Sequence, residues 1–345
     1  MVYDGIVYDH IGYRLRQNNN RYAARGKRSM RFRFNDGHYF QARDEEGSKW
    51  PVKWRSLNFG KMSSFSSSNN YGMREVVNSR IYRMAGIECP YFYHIHFRVI
   101  DDAAEAPDQY TGDFFGLGMA FEDIDGRLLD ARNLPDGNLY KFKDGETNPL
   151  NLHRNQERYS VSDGTDFSSY RSTLNADRTE EELSNMVDWD QYSLYHTVCE
   201  AIRHYDFGTR SSHQKNMAWY FQPAEGSTFG KLRLIPHDHD ASWGRGYHDN
   251  LTFAIGRDYP WRAIFSQATN VGDADDRTPL KPAHNLTYRN TVRNFRDLFW
   301  QEDTVFRIID ETLATIEEFT FADRDRWLGG PIEAGIETSM GHPSS

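Results

Sequence analysis

The period of the hydrophobic pattern changes along this chain, and that change places the fold in the α+β class. In residues 3–16 and 29–34, apolar or aromatic residues alternate with polar ones, the two-residue period of half-buried strands. Asn35, Asp36 and Gly37 follow as a turn signal. Residues 91–100 alternate again and 114–121 reads as a strand after a turn at Gly112 and Asp113, so these two are expected to pair in one sheet. One helical stretch interrupts the strands: the apolar residues among Met73, Val76, Val77, Ile81, Tyr82 and Met84 recur at helical spacing, and Gly86 is placed to stop it. Beyond residue 180 helical spacing dominates. Residues 180–205 read as one long helix and 288–316 as another, with Phe295, Leu298, Phe299, Val305, Ile308, Ile309 and Leu313 as its apolar set. Between them, 221–235 reads as a hairpin around Glu225, Gly226 and Ser227. The polar, turn-rich stretch 148–179 marks the expected boundary between a strand-rich part, 1–179, and a helical part, 180–328, with 329–345 as a frayed tail.

With 345 residues the chain is long enough to bury a real core, and 22 Phe, 20 Tyr and 8 Trp supply packing groups that disordered chains lack. No run of about 18 apolar residues offers a helical membrane span. The net charge of −9 argues against a general affinity for nucleic acid or anionic lipid. The charge is uneven, however. Between residues 11 and 34 stand Arg14, Arg16, Arg21, Arg25, Lys27, Arg28, Arg31 and Arg33 with no acid among them, a local anion-binding signature whose plain alternative is a solvated, twisted strand pair. Cys89 and Cys199 have no partner at metal-ligand spacing and read as buried and inert. The opening residues show no charged segment leading into an apolar one, and because they already read as strand, an excised or truncated domain is expected.

The densest chemical signal is Pro236-His237-Asp238-His239-Asp240-Ala241-Ser242-Trp243-Gly244, which follows the strand at 231–235. Two carboxylates two apart at a strand end can reach one hard cation. The alternating imidazoles open a second reading, a zinc or iron hydrolase site, and a loop whose charges cap backbone groups is the plain third. Upstream, Asp206 closes the long helical stretch and Asn216 follows a loop. An Asp that receives a hydroxyl proton and a downstream Asn that holds a metal are parts of a phosphotransferase, and here they come in order: Asp, Asn, hairpin, strand-ending Asp. Asp206-Phe207-Gly208 spells the kinase metal-binding tripeptide but precedes Asn216, so it reads as coincidence. No G-x-G-x-x-G loop, Val-Ala-x-Lys strand or Ala-Pro-Glu is present, which excludes a conventional protein kinase.

From about residue 5 to 327 the chain resembles the CotH (spore-coat protein H) kinase family. That family opens with a strand near Arg-Gly-Asn-Ser-Ser and then Lys-Lys-Ser/Thr-aromatic. Arg16-Gln17-Asn18-Asn19-Asn20 and Lys27-Arg28-Ser29-Met30 stand in those places, with Gln17 where the family has glycine. A helix from a Met-Arg pair to a Gly matches Met73-Arg74-Glu75 through Gly86. The family's Gly-x-Tyr-x-x-x-Glu-x-Ile-Asp is similar to residues 116–125, its Leu-Tyr-Lys to Leu139-Tyr140-Lys141, and its Pro-Trp-Asp-x-Asp-x-x-x-Gly to residues 236–244, with His237 in place of Trp.

The resemblance implies an atypical protein-kinase-like, two-lobed fold that binds ATP and Mg²⁺ in a cleft and phosphorylates serine (or threonine) in a secreted or coat protein. By that resemblance Asp206 is the catalytic base, Asn216 and Asp238 hold the metal, and Asp240 is a second acidic partner. Lys27, with Arg16 or Arg28, neutralises the nucleotide phosphates, and Glu75 orients the lysine. Glu122 and Lys141 are further candidate nucleotide contacts, with a strand end and a surface ion pair as their plain alternatives. Two other readings stay open: a catalytically silent coat or surface binding module with the same fold, and a hydrolase using His237, Asp238, His239 and Asp240.

Overall fold

The computed structural model describes residues 1–16, 27–62, 72–141, 153–154, 179–204, 216–225, 230–240, 242–243 and 282–328. The chain divides into two units. The first holds Met1–Arg80, Tyr91–Asp123 and Phe306–Ser345, and the second Ile81–Pro90 and Ile124–Val305.

The first unit opens with a short ribbon, β1 (Val2–Tyr3) and β2 (Ile6–Val7), and then builds a five-stranded antiparallel sheet. Its strands are β3 (Gly12–Leu15), β4 (Met30–Arg33), β5 (Ser56–Gly60), β6 (Phe92–Arg98) and β7 (Phe114–Phe121), in the order β3-β4-β5-β7-β6. The registers Tyr13↔Phe32, Phe32↔Leu57 and Phe59↔Ala120 line the apolar positions of four strands on one face. Met30, Phe32, Leu57, Phe59 and Ala120 there join Tyr8, Phe34, Phe40, Trp54 and Tyr91 in an aromatic core. At about 1.5–3 kcal/mol per fully buried large side chain, this core is the main stabilising element of the unit.

β5 lacks the alternating exposure that marks β4, because all five of its residues are buried. Its polar positions are satisfied inside the sheet: Asn58 donates to Asp123 Oδ1 at 2.9 Å, and Ser56 Oγ accepts from Arg31 at 3.1 Å. Between β5 and β6 lies helix α1 (Met73–Met84), which begins in the first unit and ends in the second. Gly86 follows in the left-handed region (φ 92°) as the expected stop. On the opposite sheet face, Met62, Val76 of α1, Phe92, Leu117, Met119 and Ile316 form a second core.

In the second unit a four-stranded antiparallel sheet has the order β11-β10-β8-β9, with β8 (Asn138–Lys141), β9 (His153–Arg154), β10 (Met217–Gln222) and β11 (Lys231–Pro236). Helix α2 (Gly126–Asp130), capped by Asp125, packs Leu128 and Leu129 with Leu139, Ala218, Tyr220 and Ile235. The long helical stretch after residue 180 is two helices, α3 (Glu180–Met186) and α4 (Trp189–Ala201). A capping box of Thr179 and Glu182 starts the first. The break comes where Val187 bridges to Leu232 and Asp188 caps α4 while pairing with Arg233 at 2.5 Å. The later stretch is also interrupted. Helix α5 (Pro282–Leu298) ends where the N–H groups of Phe299 and Trp300 both donate to Phe295 O, and α6 (Glu302–Ala314) and α7 (Glu317–Leu328) follow. Among the described residues, no helix is long and apolar enough to cross a membrane.

Candidate active site

In the second unit the β10–β11 hairpin brings two of the sequence candidates together. Met217 pairs with Pro236 at the end of the ladder, and one step further His237 N donates to Asn216 O at 3.2 Å. Asn216 and Asp238 therefore leave the same end of adjacent strands. Both adopt left-handed backbone conformations, φ 61° and 52°, which Asn and Asp tolerate better than other L-residues and which often mark functional turns. Asn216 is buried and Asp238 exposed. A carboxamide oxygen and a carboxylate are the hard donors that Mg²⁺ prefers, so the donor set fits such an ion.

The rest of the acidic loop is anchored inward. His239 is fully buried: its ring lies 5.8 Å from Tyr82 and 6.3 Å from His204, and Nε2 is 3.6 Å from Cys89 Sγ. Burial, reinforced by the neighbouring His204, pushes its pKa well below the ordinary histidine range, so the imidazole is neutral. Ser242 closes the turn, its Oγ donating to His239 O at 3.0 Å and its N–H to Asp240 O at 3.0 Å. Asp240 is half-buried. His239 thus sits in the core while Asp238 faces solvent, so the four residues of the hydrolase reading do not share one side of the chain. Among the described residues no group of three or more His, Cys, Asp and Glu side chains is placed to hold a metal. Both cysteines are buried thiols outside any disulfide, and burial pushes the Cys199 thiol up to about 12, which leaves it unreactive. Lys141 is half-buried in β8, opposite Ala218 of β10. Asp206 and its tripeptide lie outside the described residues, as do Gln17 and the loop to Gly26.

In the first unit Arg16, Lys27 and Arg28 lie along the chain beside one end of the β3–β4 pair, where Arg16 N donates to Ser29 O at 2.9 Å, and the Arg16 and Lys27 side chains part from there toward Phe121 and Gly116 of β7. The Arg16 guanidinium lies 4.6 Å over the Phe121 ring, which in turn stacks on Phe92. Arg28 is half-buried. Lys27 is held differently. Its Nζ is 2.5 Å from Asp323 Oδ1, and the two side chains are only 8% and 7% exposed. Asp323 Oδ1 also accepts from Leu117 N at 2.9 Å, and one turn on, Trp327 Nε1 donates to Phe115 O at 2.8 Å. Gly116 makes this docking possible: it has φ 145°, and a methyl group there would lie 2.5 Å from Asp323 Oδ1 and 3.0 Å from Lys27 Cε. Burial lowers the Lys27 pKa to about 8 despite the opposing pull of Asp323.

Glu75 is half-buried in the first turn of α1, while the carboxylate on Lys27 is that of Asp323. Glu122 is buried with its carboxylate accepting from Tyr91 N at 3.1 Å, which ties the end of β7 to the start of β6. Sequence reasoning missed Asp323 and Lys61. The signal for Asp323 was an acid on the buried stripe of α7, in line with Ile316, Phe319 and Trp327 at spacings of three and four. Lys61 directly follows β5, donates its N–H to Ser29 Oγ at 3.2 Å, and its charge adds to the lowering of the Lys27 pKa.

The second unit thus has a carboxamide and a carboxylate at one hairpin end, donor types that suit a hard cation, and the first unit separately carries cationic side chains of the type that suits a phosphate ester. The model of the family described as CotH kinase protein matches residues 23–339, nearly the whole chain, and the chain belongs to that family. Membership supports a kinase-type function at family level, with ATP, a divalent cation and a protein substrate as the ligands it suggests. No curated protein matches the chain.

Proposed function

We propose that this protein transfers the γ-phosphate of ATP to a serine or threonine hydroxyl of a protein acceptor, a secreted or coat protein, in a Mg²⁺-dependent reaction. The observation that carries this reading is the pair of left-handed residues Asn216 and Asp238 at one end of the β10–β11 hairpin. The first unit adds support, since its five-stranded antiparallel sheet with a helix inserted after the third strand suits the strand-rich lobe of a kinase-like fold.

In the proposed mechanism Asn216 and Asp238 would hold Mg²⁺, with Asp240 as second acidic partner, and the ion would supply charge neutralisation at the phosphates. Asp206 accepts the proton of the acceptor hydroxyl as its oxygen bonds to the γ-phosphorus, and the bond to the β-phosphate oxygen breaks to release ADP. Arg16 and Arg28 bear on the phosphates. Lys27 joins them when it parts from Asp323, with Glu75 to orient it then. Glu122, through the Tyr91 backbone, and Lys141 complete the nucleotide's surroundings.

The test is a calorimetric titration with ATP, with and without Mg²⁺, beside a transfer assay on the parent and Asp206→Asn. The substitution keeps size and polarity but cannot take up the proton. Mg²⁺·ATP binding is expected to persist while transfer falls by about 10²-fold or more. Transfer at the parental rate by Asp206→Asn would remove Asp206 from the reaction, and absence of Mg²⁺-dependent ATP binding in the parent would leave a silent binding module.

A further inference from the structure

We propose that the outer edge of β3 is a docking strand for an extended segment of the acceptor in which acidic and apolar residues alternate. Only the naming of the occupant as the acceptor rests on the phosphotransfer reading. β3 precedes the residues matched by the family model, so membership does not account for this edge.

The backbone supplies the first argument. Arg16 and Ser29 form a hydrogen-bonded pair. In an antiparallel ladder such pairs recur every second residue, so Arg14 and Gly12 also turn their N–H and C=O groups toward β4. Tyr13 and Leu15 must then turn theirs outward, and β3 is the outermost strand of its sheet among the described residues. All four residues of the strand are exposed, Tyr13 by 64% and Leu15 by 46%. A row of outward backbone groups is a template for an added strand.

The side chains supply the second argument. The Tyr13 ring stacks 6.2 Å from Phe32, so Tyr13 and Leu15 extend the apolar face of the sheet to its rim. On the other face Arg14 stands directly opposite Arg31, with Arg33 two residues further along β4. Like charges directly opposite are unfavourable in a sheet. Asp123 pairs with Arg31, but Arg14 and Arg33, both exposed, have no carboxylate partner among the described residues. An incoming strand with acids on the arginine face and apolar residues on the Tyr13 face satisfies both at once. Self-pairing of two copies of β3 would set arginine against arginine, which disfavours a second copy as occupant.

The probe is a fluorescein-labelled peptide of about eight residues, an ordinary strand length, alternating Glu and Val. Binding to the full chain is read by fluorescence anisotropy, without ATP or Mg²⁺, so that failure of the phosphotransfer reading leaves this result standing. The alternating peptide is expected to bind, and Arg14→Glu with Arg33→Glu is expected to weaken it about tenfold. Reversal at Arg14 relieves the contact with Arg31, so lost binding would not reflect lost folding. N-methylation of the amides that face β3 is expected to weaken binding as well. Absence of binding, or indifference to either change, would overturn the proposal. So would equal affinity for a peptide with the same residues in two blocks, for a single-stranded oligonucleotide or for phosphatidylserine vesicles, any of which marks a non-specific polyanion patch. In a transfer assay the double variant is expected to raise KM for the acceptor and leave KM for ATP and kcat alone, and an unchanged acceptor KM would overturn the naming of the acceptor as occupant.

Discussion

Asp323→Ala is expected to destabilise the first unit by about 3–5 kcal/mol, because it leaves the Lys27 ammonium buried without its carboxylate. It also removes the acceptor for Leu117 N, a buried backbone donor, so the loss falls on helix α7 and strand β7 together. The pH dependence has a definite sign. The native Lys27 pKa, about 8, is below the ordinary lysine value of 10.5, so the native state releases the proton first and stability from this group rises with pH between those values. Without the opposing Asp323 charge the native pKa falls further. The deficit of the variant relative to the parent should therefore be larger on the acidic side of about pH 8 and shrink as the pH rises toward it, above which both gain alike. Urea unfolding at several pH values reads this directly. Replacing both partners, Lys27→Met with Asp323→Leu, should recover the part of the loss that comes from the unpaired ammonium, while Leu117 N stays without its acceptor. A single variant as stable as the parent would show that the pair does not anchor α7. The same geometry shows that a Lys27 substitution reports on folding as well as on ATP, so nucleotide affinities of such variants need the stability measurement beside them.

Asp238→Ala is expected to abolish Mg²⁺-dependent ATP binding and transfer together, because it removes the exposed hard-oxygen donor at the hairpin end. The fold should survive. Asp238 is exposed and its backbone turn is anchored on either side by the Asn216–His237 hydrogen bond and by buried His239. Alanine in the left-handed region is strained by roughly 1 kcal/mol, small beside the loss of a ligand to a divalent cation. Asp238→Asn separates the two effects: it keeps the tolerated backbone and a neutral oxygen, so it should bind Mg²⁺·ATP more weakly than the parent and better than the alanine variant. Calorimetry across the three proteins checks this order. Parental binding by Asp238→Ala would shift the metal site elsewhere, whereas unfolding of Asp238→Asn would make the residue structural.

Much of this was legible in the residues. Alternation found β4 and β6, the turn at Gly112 and Asp113 marked the start of β7, helical spacing and Gly86 bounded α1, and the turn chemistry at Glu225 found the β10–β11 hairpin. β5 was not legible, because a central strand buried on both faces hides its polar residues in internal bonds and shows no alternation. The two long helical stretches broke for a related reason. Val187 is buried and keeps the apolar period going through the break, and only the caps at Thr179 and Asp188 reveal two helices. The pair Asn216 and Asp238, proposed as metal ligands, could be nominated from their order around a hairpin. The outcome at Lys27 could not, since its partner Asp323 is 296 residues away and no local pattern encodes such a pairing. His239 carried a misleading signal: between two acids it resembled a ligand, but its imidazole packs on Tyr82 as an anchor.

The most direct test of phosphotransfer is mass spectrometry of the protein and of a serine-rich acidic acceptor after incubation with ATP and Mg²⁺, with Asp238→Ala in parallel. The proposed function predicts phosphate on serine or threonine in the parental reaction and none with the variant. Addition of AMP in place of phosphate, or an unmodified acceptor despite intact Mg²⁺·ATP binding, would contradict it.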